Sequence, residues 1–530
     1  MADRIISKEE EHYEPLFKVS FPQEIPVLPS LKKGPAAIDV RYQVIDPYAY
    51  IHIYWDEGNS ELVYEVEEPK LNEEEMSTLK LIEEGLTELI NISFVNIESE
   101  KVIIEFIEKN LKLLLNELGI KVTEDTFLKL MYYIYRNFIG LGPIEPLMRD
   151  YFIEDIECNG VNAPIYIVHR RYSNLRTTVK FQEFSTLTSF VEKLAQKCSQ
   201  YVSYANPLLD GSLPDGSRVN ATYTEDVTSR GPSFTIRKFT REPWTPIKLM
   251  DFKTVPPEIL AYLWLLIEYR SNILVIGGTG SGKTSFLNAM AFFIPPAARV
   301  VSIEDTRELN LKHENWLPAV ARKGVGTTSI TGAVQGEVSL FDLLREGLRQ
   351  RPDYIIVGEI RGKEAFVLFQ AMASGHPSYC TMHAESVDSL IKRLTTAPIS
   401  LSPALVEAMD AVCIMIPAKV EGKDLRKLRE INEIIKINPD GSAIINTPFT
   451  WDPREDKFLF KTDSKIFEKI LKRTGMKWDD LLKEFRRRSR LLMAMYRKRV
   501  FGFAEVQEVI HQYYKTPEKV MQQFGITDEK

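Results

Sequence analysis

The chain has 530 residues, a formal net charge of −7 and 44% hydrophobic residues, an ordinary composition for a soluble globular protein of roughly two to four domains. The acidic balance gives no indication that the whole chain binds nucleic acid. The four cysteines form no CxxC pair, the longest apolar runs are too short to cross a bilayer, and the charged N-terminus lacks a signal-peptide core. We therefore expect a cytoplasmic protein without a disulfide framework.

Two regions are predicted before residue 241. Residues 1–140 form an N-terminal region that is mainly helical after residue 72, preceded by an alternating apolar and polar stretch that indicates a small β-element. The helical part consists of three amphipathic segments, at about 72–91, 99–118 and 124–138. Residues 141–240 alternate short strands and turns around one helix, which predicts a small α/β domain.

The rest of the chain is divided into a linker, a larger α/β domain and a helical tail. Residues 241–258 contain four prolines and little periodicity, which indicates a linker. Between 259 and 462, the apolar runs NILVIG, RVVSIE, DYIIVG and SYCTMH alternate with helical stretches, so we predict βαβ units and a mainly parallel sheet. Residues 463–530 are helical and basic. The basic run around Arg486–Arg499 is typical of a solvated helix face, and it could also contact anionic lipid.

A phosphate-binding loop is the clearest chemical signal. The stretch GGTGSGKTS matches G-x-x-x-x-G-K-[ST], with a predicted strand before it and a predicted helix after it. Glycines allow backbone N–H groups to surround an anion, and the helix starting near Lys283 adds the positive end of its dipole. Lys283 is expected to reach the β- and γ-phosphates, and Thr284 is expected to hold Mg²⁺. The predicted nucleotide-binding residues are Gly277, Gly278, Thr279, Gly280, Ser281, Gly282, Lys283, Thr284 and Ser285.

Acidic residues end two further predicted strands. VVSIEDTREL supplies Glu304 and Asp305, and RPDYIIVGEIRG supplies Glu359. Ligands of an open parallel sheet bind outside the carboxyl ends of its strands, and phosphoryl transfer needs a Mg²⁺ partner and a group that orients or deprotonates water. Glu359 stands where a Walker B acid is expected, but Gly358 replaces the Asp expected before it. A second acid is therefore expected from Glu304 or Asp305, and Asp305 is a candidate Mg²⁺ ligand.

The stretch ASGHPSYCTMHAES raises the question of a metal site, since it contains His376, Cys380 and His383. The spacing is not a standard zinc pattern, and on an extended strand Cys380 points away from His383. A core histidine remains an alternative for both imidazoles. At the end of a predicted strand, His383 is instead a candidate contact to the terminal phosphate, with His376 as a secondary contact.

Four motifs in one domain, GGTGSGKT, IEDTREL, RPDYIIVGEIRG and ASGHPSYCTMHAES, closely resemble the Walker A, Asp box, Walker B and His box of the type II/type IV secretion ATPase superfamily. Within it, the chain looks most like the archaeal branch, which drives pilus assembly, secretion and archaellum assembly or rotation. The resemblance covers about 130–420 and implies a homo-hexamer that binds ATP and Mg²⁺ between a small N-terminal domain and a RecA-like P-loop motor domain.

The resemblance also implies roles for single residues. Glu304 matches the Asp-box glutamate, a candidate general base, and Glu359 matches the Walker B glutamate. His383 matches the His-box histidine. Arg218 and Arg237 match small-domain arginines that reach the phosphates, and salt-bridge partners on a sheet surface are the alternative for both. The domain linker would then allow closure that brings an arginine to the site.

Two features separate the chain from bacterial type II assembly ATPases. Its cysteine spacing excludes their four-cysteine zinc module, and its Walker B stretch ends in GEIRG where many bacterial members have GEIRD. The implied partners are a polytopic membrane platform protein and, beyond it, filament subunits, reached from the cytoplasmic face of the membrane. A RecA-like nucleic-acid translocase and a nucleotide-dependent scaffold without turnover are the alternatives. The acidic charge argues against the first, so no nucleic acid is expected as a partner.

Overall fold

The computed structural model describes residues 15–526, with gaps at 23, 30, 32–33, 91–99, 241, 323, 325–335, 421–422 and 439. The chain divides into two compact units, Met1–Phe239 and Thr240–Lys530, which we call the N-terminal and C-terminal units. Within the described residues, none of the helices combines the length and apolarity needed to cross a membrane.

The N-terminal unit contains one nine-stranded sheet in the order β1-β2-β3-β6-β5-β4-β9-β8-β7. Its strands are β1 Asp39–Ile45, β2 Ala49–Asp56, β3 Glu61–Glu67, β4 Ile153–Cys158, β5 Pro164–His169, β6 Ser173–Lys180, β7 Leu208–Ser212, β8 Arg218–Thr222 and β9 Ser233–Arg237. Its helices are α1 Glu73–Ile90, α2 Glu100–Glu117, α3 Glu124–Ile134, α4 Glu145–Arg149 and α5 Phe184–Lys197. The small β-element predicted before residue 72 is the antiparallel meander β1–β3. Because β3 pairs with β6, the two regions predicted as separate share one sheet.

The C-terminal unit contains a second nine-stranded sheet in the order β12-β11-β13-β14-β10-β15-β16-β17-β18. Its strands are β10 Ile273–Gly277, β11 Val300–Glu304, β12 Trp316–Val320, β13 Tyr354–Val357, β14 Ser378–Met382, β15 Ala411–Val420, β16 Lys423–Ile437, β17 Ala443–Asp452 and β18 Lys457–Phe460. The strands from β12 to β15 in this order are parallel, and β16, β17 and β18 continue the sheet antiparallel. The predicted α/β fold with a mainly parallel, RecA-like sheet is confirmed.

Helices cover both faces of this second sheet. They are α6 Pro246–Asp251, α7 Pro257–Glu268, α8 Lys283–Ala291, α9 Leu340–Arg349, α10 Glu364–Ala373, α11 Val387–Thr395, α12 Pro403–Val406, α13 Lys465–Thr474, α14 Trp478–Arg497, α15 Phe503–Lys515 and α16 Pro517–Gln523. In the central strand β10, Ile273 and Val275 belong to one hydrophobic cluster, whereas Leu274 and Ile276 belong to another. Alternate residues of a strand point to opposite faces, so a fully apolar run here reflects burial on both sides.

The predicted linker and the helical tail both belong to the packed C-terminal unit. Ile247 of α6 lies within the predicted linker and is fully buried in the same cluster as Leu491 of α14 and Ile510 of α15. The basic run of α14 is only partly a solvated face, because Arg488 is buried and pairs with Glu268 and Glu484. Apolar residues at helical spacing in these segments therefore complete the core beside the parallel sheet.

Candidate functional site

The parallel strands bring four of the predicted site residues to one edge of the sheet. Lys283 begins α8 after the loop that follows β10, and Glu304 is the last residue of β11. Glu359 lies two residues beyond β13, and His383 directly follows β14. The carboxyl ends of parallel strands face the same way, so all four residues lie at the edge of the sheet where ligands of such folds bind.

The phosphate loop has a backbone that requires glycine at specific positions. A Cβ atom at Gly277 would lie 2.2 Å from the carbonyl oxygen of Met415, so no side chain fits there. Gly280 and Gly282 have φ angles of +70° and +89°, in the left-handed region that favours glycine. The Nε of Arg426, on β16, donates to the Gly280 carbonyl at 3.0 Å and so holds the loop from outside.

A chain of polar contacts links the loop to two neighbouring strand ends. The Nζ of Lys283 donates to the Gly278 carbonyl at 2.9 Å and lies 3.3 Å from Nδ1 of His383. Nε2 of His383 lies 3.3 Å from Oε1 of Glu359. Because an ammonium group can only donate, Nδ1 accepts and Nε2 carries the proton that faces Glu359. Burial lowers the pKa of Lys283, and the charges of Glu359 and Glu308 oppose that effect.

Glu304 is a buried carboxylate with one oxygen fixed and the other uncommitted. It is 2% exposed, and its Oε1 accepts hydrogen bonds from the N–H groups of Glu308 and Leu309, both at 2.9 Å. Its Oε2 is buried and has no hydrogen-bond partner among the residues that the structure describes. Burial raises the pKa of Glu304 to about 7, although the two backbone hydrogen bonds act to lower it. A carboxylate of this pKa can take up a proton near neutral pH.

The side chain of Glu304 lies close to Gly358, the position where the Walker B strand lacks its expected Asp. A Cβ atom at Gly358 would lie 3.0 Å from Cγ and 3.4 Å from Oε1 of Glu304, so a side chain there would require the Glu304 side chain to shift. Thr381 fixes the Gly358 turn, since its hydroxyl donates to the Gly358 carbonyl at 2.6 Å. Glu304 and Asp305 are the two candidates for the second acid of the site. Of these two, Glu304 is the one whose side chain lies next to Gly358 of the Walker B stretch.

Asp305 has a different environment from Glu304. Its carboxylate pairs with the guanidinium of Arg361 on the exposed side of the strand ends. In the same stretch, Glu364 accepts from the N–H groups of Arg361 and Gly362 at 2.7 and 2.6 Å, and a Cβ atom at Gly362 would meet its carboxylate at 2.9 Å. Glu364, the first residue of α10, thus fixes the backbone of the GEIRG ending that precedes the helix. The carboxylate of Asp305, which is predicted as a Mg²⁺ ligand, is therefore paired with Arg361 in this structure.

The structure does not bring His376 beside His383, and its role as a secondary phosphate contact stays a prediction. His376 precedes β14, whereas His383 follows it, so the two imidazoles lie at opposite edges of the sheet. At about 3.3 Å per strand residue they are roughly 20 Å apart. Cys380, between them, is fully buried in the hydrophobic core. The strand therefore separates the three residues that suggested a metal site.

Arg218 and Arg237 lie side by side on the sheet of the N-terminal unit. They are register partners on the antiparallel strands β8 and β9, so both point to the same face. Arg218 pairs with Asp210 at 3.3 Å, and Arg237 pairs with Asp155 at 3.0 Å. Their side chains are 38% and 64% exposed, so neither guanidinium is enclosed by its partner.

The residues at the strand ends suit Mg²⁺ bound together with a nucleotide. Within the described ranges, no three His, Cys, Asp or Glu side chains are grouped to hold a metal ion. Mg²⁺ commonly uses one or two protein oxygens plus phosphates and water, so such a group is not required. Thr284, half-buried on the first turn of α8, and the carboxylate of Glu359 are oxygen donors at this edge.

Several residues around the site were not predicted from the sequence. A cavity of about 540 Å³ adjoins Glu359 and His383 and is also lined by Arg393 and Thr396. Asn288 is a buried amide on α8, and Arg426 contacts the loop from a distant strand. A single polar residue within the apolar stretch FLNAMAFF could have drawn attention to Asn288. Nothing local in the sequence identifies Arg426.

A glycine-rich loop between a buried parallel strand and a helix, with acidic and imidazole groups at adjacent strand ends, defines a P-loop nucleotide-binding protein. Residues 139–416, just over half of the chain, match the type II/IV secretion system protein family. The chain belongs to this family, which confirms the resemblance seen in its four motifs.

Sequence relatives agree with this assignment, and solved structures show partial similarity. The chain is 38% identical over 401 residues to the uncharacterized protein MJ0900 of Methanocaldococcus jannaschii, covering 75% of this chain and 71% of that protein. It is 34% identical over 268 residues to the type IV secretion system protein PtlH of Bordetella pertussis, covering 45% of this chain and 78% of PtlH.

The pilus retraction motor PilT with bound ADP is 18% identical, with a TM-score of 0.39, over 70% of this chain and 92% of PilT. The VirB11 ATPase of Brucella suis is 24% identical, with a TM-score of 0.27, over 55% and 91%. Family membership rests on the family match and the sequence relatives.

Proposed function

We propose that this protein is an ATP-hydrolysing motor that works as a homo-hexamer for a secretion or type IV pilus-like machine, the archaellum included. The observation that carries the proposal is the contact chain Lys283–His383–Glu359 at the sheet edge where Glu304 ends β11. Family membership and the similarity to PtlH support the secretion role. No nucleic-acid partner is proposed.

In this proposal the phosphate loop holds ATP. Lys283 contacts the β- and γ-phosphates, and the loop N–H groups and the start of α8 surround the anion. Ser281, which donates to the Gly278 carbonyl at 2.8 Å, keeps the loop closed on itself. Thr284 and Glu359 hold Mg²⁺, which would neutralise charge on the phosphates.

Glu304 acts as the general base. Its Oε2 takes a proton from the attacking water as the water oxygen bonds to the γ-phosphorus. The bond from this phosphorus to the bridging oxygen breaks, which releases phosphate and ADP. His383 is held by Glu359 with its protonated Nε2 turned away from Lys283, so its ring position is fixed when the terminal phosphate is contacted.

The motor acts at the cytoplasmic face of the cell membrane on a polytopic platform protein, which in turn contacts filament subunits. Peripheral contact of the basic tail with anionic lipid is a further part of this proposal. Exposed basic residues of α13 and α14, including Lys472 and Arg486, support it by charge.

The direct test is ATP turnover by the purified full chain with Mg²⁺, with and without single-stranded DNA. We expect Mg²⁺-dependent hydrolysis that single-stranded DNA does not stimulate. In the Glu359→Gln variant we expect turnover to fall about 100-fold or more while nucleotide binding persists, because the carboxylate is lost but the loop is intact. Glu385→Gln, an exposed carboxylate two residues after His383, is the matched control and should retain activity. Tight ATP binding without turnover by the unaltered chain would instead identify a non-catalytic scaffold.

We also propose that Arg218 and Arg237 supply positive charge to the transition state of hydrolysis. Replacing either with Ala should reduce kcat roughly 10- to 1000-fold with little change in ATP affinity, because the loop that binds ATP belongs to the C-terminal unit. Arg176→Ala is the matched control. Arg176 lies in the same sheet, its side chain is 38% exposed like that of Arg218, and it pairs with Glu61 at 3.2 Å. Steady-state kinetics of the variants decide the matter. Equal effects of all three substitutions would assign Arg218 and Arg237 to surface ion pairing alone.

A further inference from the structure

Asn288 is a buried amide that braces the segment next to Glu304. It lies on α8, is 4% exposed, and its Nδ2 donates to the Glu308 carbonyl at 3.0 Å. Its Oδ1 accepts from the N–H group of Asn310 at 3.1 Å. These two bonds bracket Leu309, whose side chain is fully buried. The amide therefore fixes residues 308–310 in one backbone conformation.

The same segment supplies both hydrogen bonds that fix the Glu304 carboxylate. The N–H groups of Glu308 and Leu309 donate to Oε1, while the Glu308 carbonyl and the Asn310 N–H face Asn288. The backbone of residues 308–310 thus connects Asn288 to Glu304 through hydrogen bonds. It also stands on the helix whose first residue is Lys283. The helix that would hold the nucleotide is connected in this way to the carboxylate that would accept the proton.

We propose that Asn288 is a positioning residue that holds the Glu304 carboxylate in one orientation by keeping its two N–H donors in place. This inference rests on the proposed ATPase function and deepens it. With Asn288 in place, the two donors fix Oε1 and so fix the direction of Oε2. Without it, the donors are free to move and Oε2 is no longer held in one position, which slows a proton transfer that depends on geometry.

A purely structural amide is the competing explanation, and the chain offers a matched example of one. Asn272 is 8% exposed and makes the same two types of hydrogen bond, from Nδ2 to the Ala408 carbonyl at 2.8 Å and from the Ser378 N–H to Oδ1 at 3.0 Å. It precedes β10, at the amino edge of the same sheet. Losing either amide removes two buried hydrogen bonds, but only Asn288 adjoins Glu304.

The test compares kcat and the KM for ATP of the unaltered chain and of the Asn288→Ala and Asn272→Ala variants. For Asn288→Ala we expect kcat to fall roughly 10-fold, because the proton acceptor is no longer held in place. The KM for ATP should change less than about 2-fold, since the phosphate loop is untouched. Asn272→Ala should leave kcat within about 2-fold of the unaltered chain.

Amide hydrogen exchange gives a readout that does not need turnover. The peptide spanning 305–311 should exchange several-fold faster in Asn288→Ala than in the unaltered chain or in Asn272→Ala. An unchanged kcat in Asn288→Ala, an equal fall of kcat in both variants, or equal exchange in both variants would overturn the role of Asn288. If the unaltered chain itself has no ATPase activity, the proposed function fails. The exchange result then still reports whether Asn288 holds the segment.

Discussion

We expect Lys283→Ala to abolish ATP turnover and to weaken ATP binding by roughly 100-fold or more, because it removes the cation placed at the phosphate loop. The ammonium group of Lys283 lies between the Gly278 carbonyl and Nδ1 of His383, and the residue is 7% exposed. No other lysine makes these contacts among the residues that the structure describes. Turnover assays and a fluorescent-nucleotide titration measure the two effects separately.

The control for this substitution is Lys363→Ala. Lys363 lies four residues after Glu359, is exposed, and is the N-cap residue of α10. It is therefore a lysine near the site in sequence that does not belong to the phosphate loop. Its loss should leave turnover within about 2-fold of the unaltered chain. Normal turnover by Lys283→Ala would contradict the assignment of the whole site, since every other proposed role depends on a nucleotide held at this loop.

The core of the site could be predicted from local patterns. A glycine-rich loop after an apolar strand indicates a phosphate site by itself, and Glu304 and Glu359 follow apolar runs that must end at the same sheet edge if they are parallel strands. The strand order confirms that condition, because β14 and β13 lie between β10 and β11. Periodicity and motif spacing are thus sufficient for residues that follow directly after strands.

Features that depend on packing between distant segments could not be predicted. Gly358 looks like a missing acid in the sequence, and only the fold shows that a side chain there would crowd Glu304. Arg426 reaches the loop from a strand more than a hundred residues away in the chain. His376 was grouped with His383 because they are close in sequence, yet a strand of five residues places them at opposite edges. The sequence patterns also predicted two separate regions within the N-terminal unit. The β3–β6 pairing that joins them links segments that are distant in the chain, so no local pattern indicates it.

Glu304→Gln is expected to reduce kcat by about 100- to 10,000-fold while ATP binding is retained, because the proton acceptor is lost and the phosphate loop is untouched. The pKa of about 7 predicts that turnover by the unaltered chain rises as pH increases through 7, when Glu304 becomes ionised. The residual turnover of Glu304→Gln should show no such limb. Rate measurements between pH 5.5 and 9 test both statements, and a limb that persists in the variant would assign it to another group.

The stability of the same variant separates loss of the base from loss of the fold. Because burial raises the pKa of Glu304 from 4.5 to about 7, the folded state binds this proton more tightly than the unfolded state does. The contribution of Glu304 to stability is therefore fully present below about pH 4.5 and is lost as pH rises to 7, at most roughly 3 kcal/mol in total. Glutamine accepts the same two backbone hydrogen bonds without a charge, so the variant should be at least as stable as the unaltered chain at pH 8. Denaturant unfolding at pH 5 and pH 8 measures this difference, and a variant that is inactive and also less stable at pH 8 would show that Glu304 serves the fold rather than proton transfer.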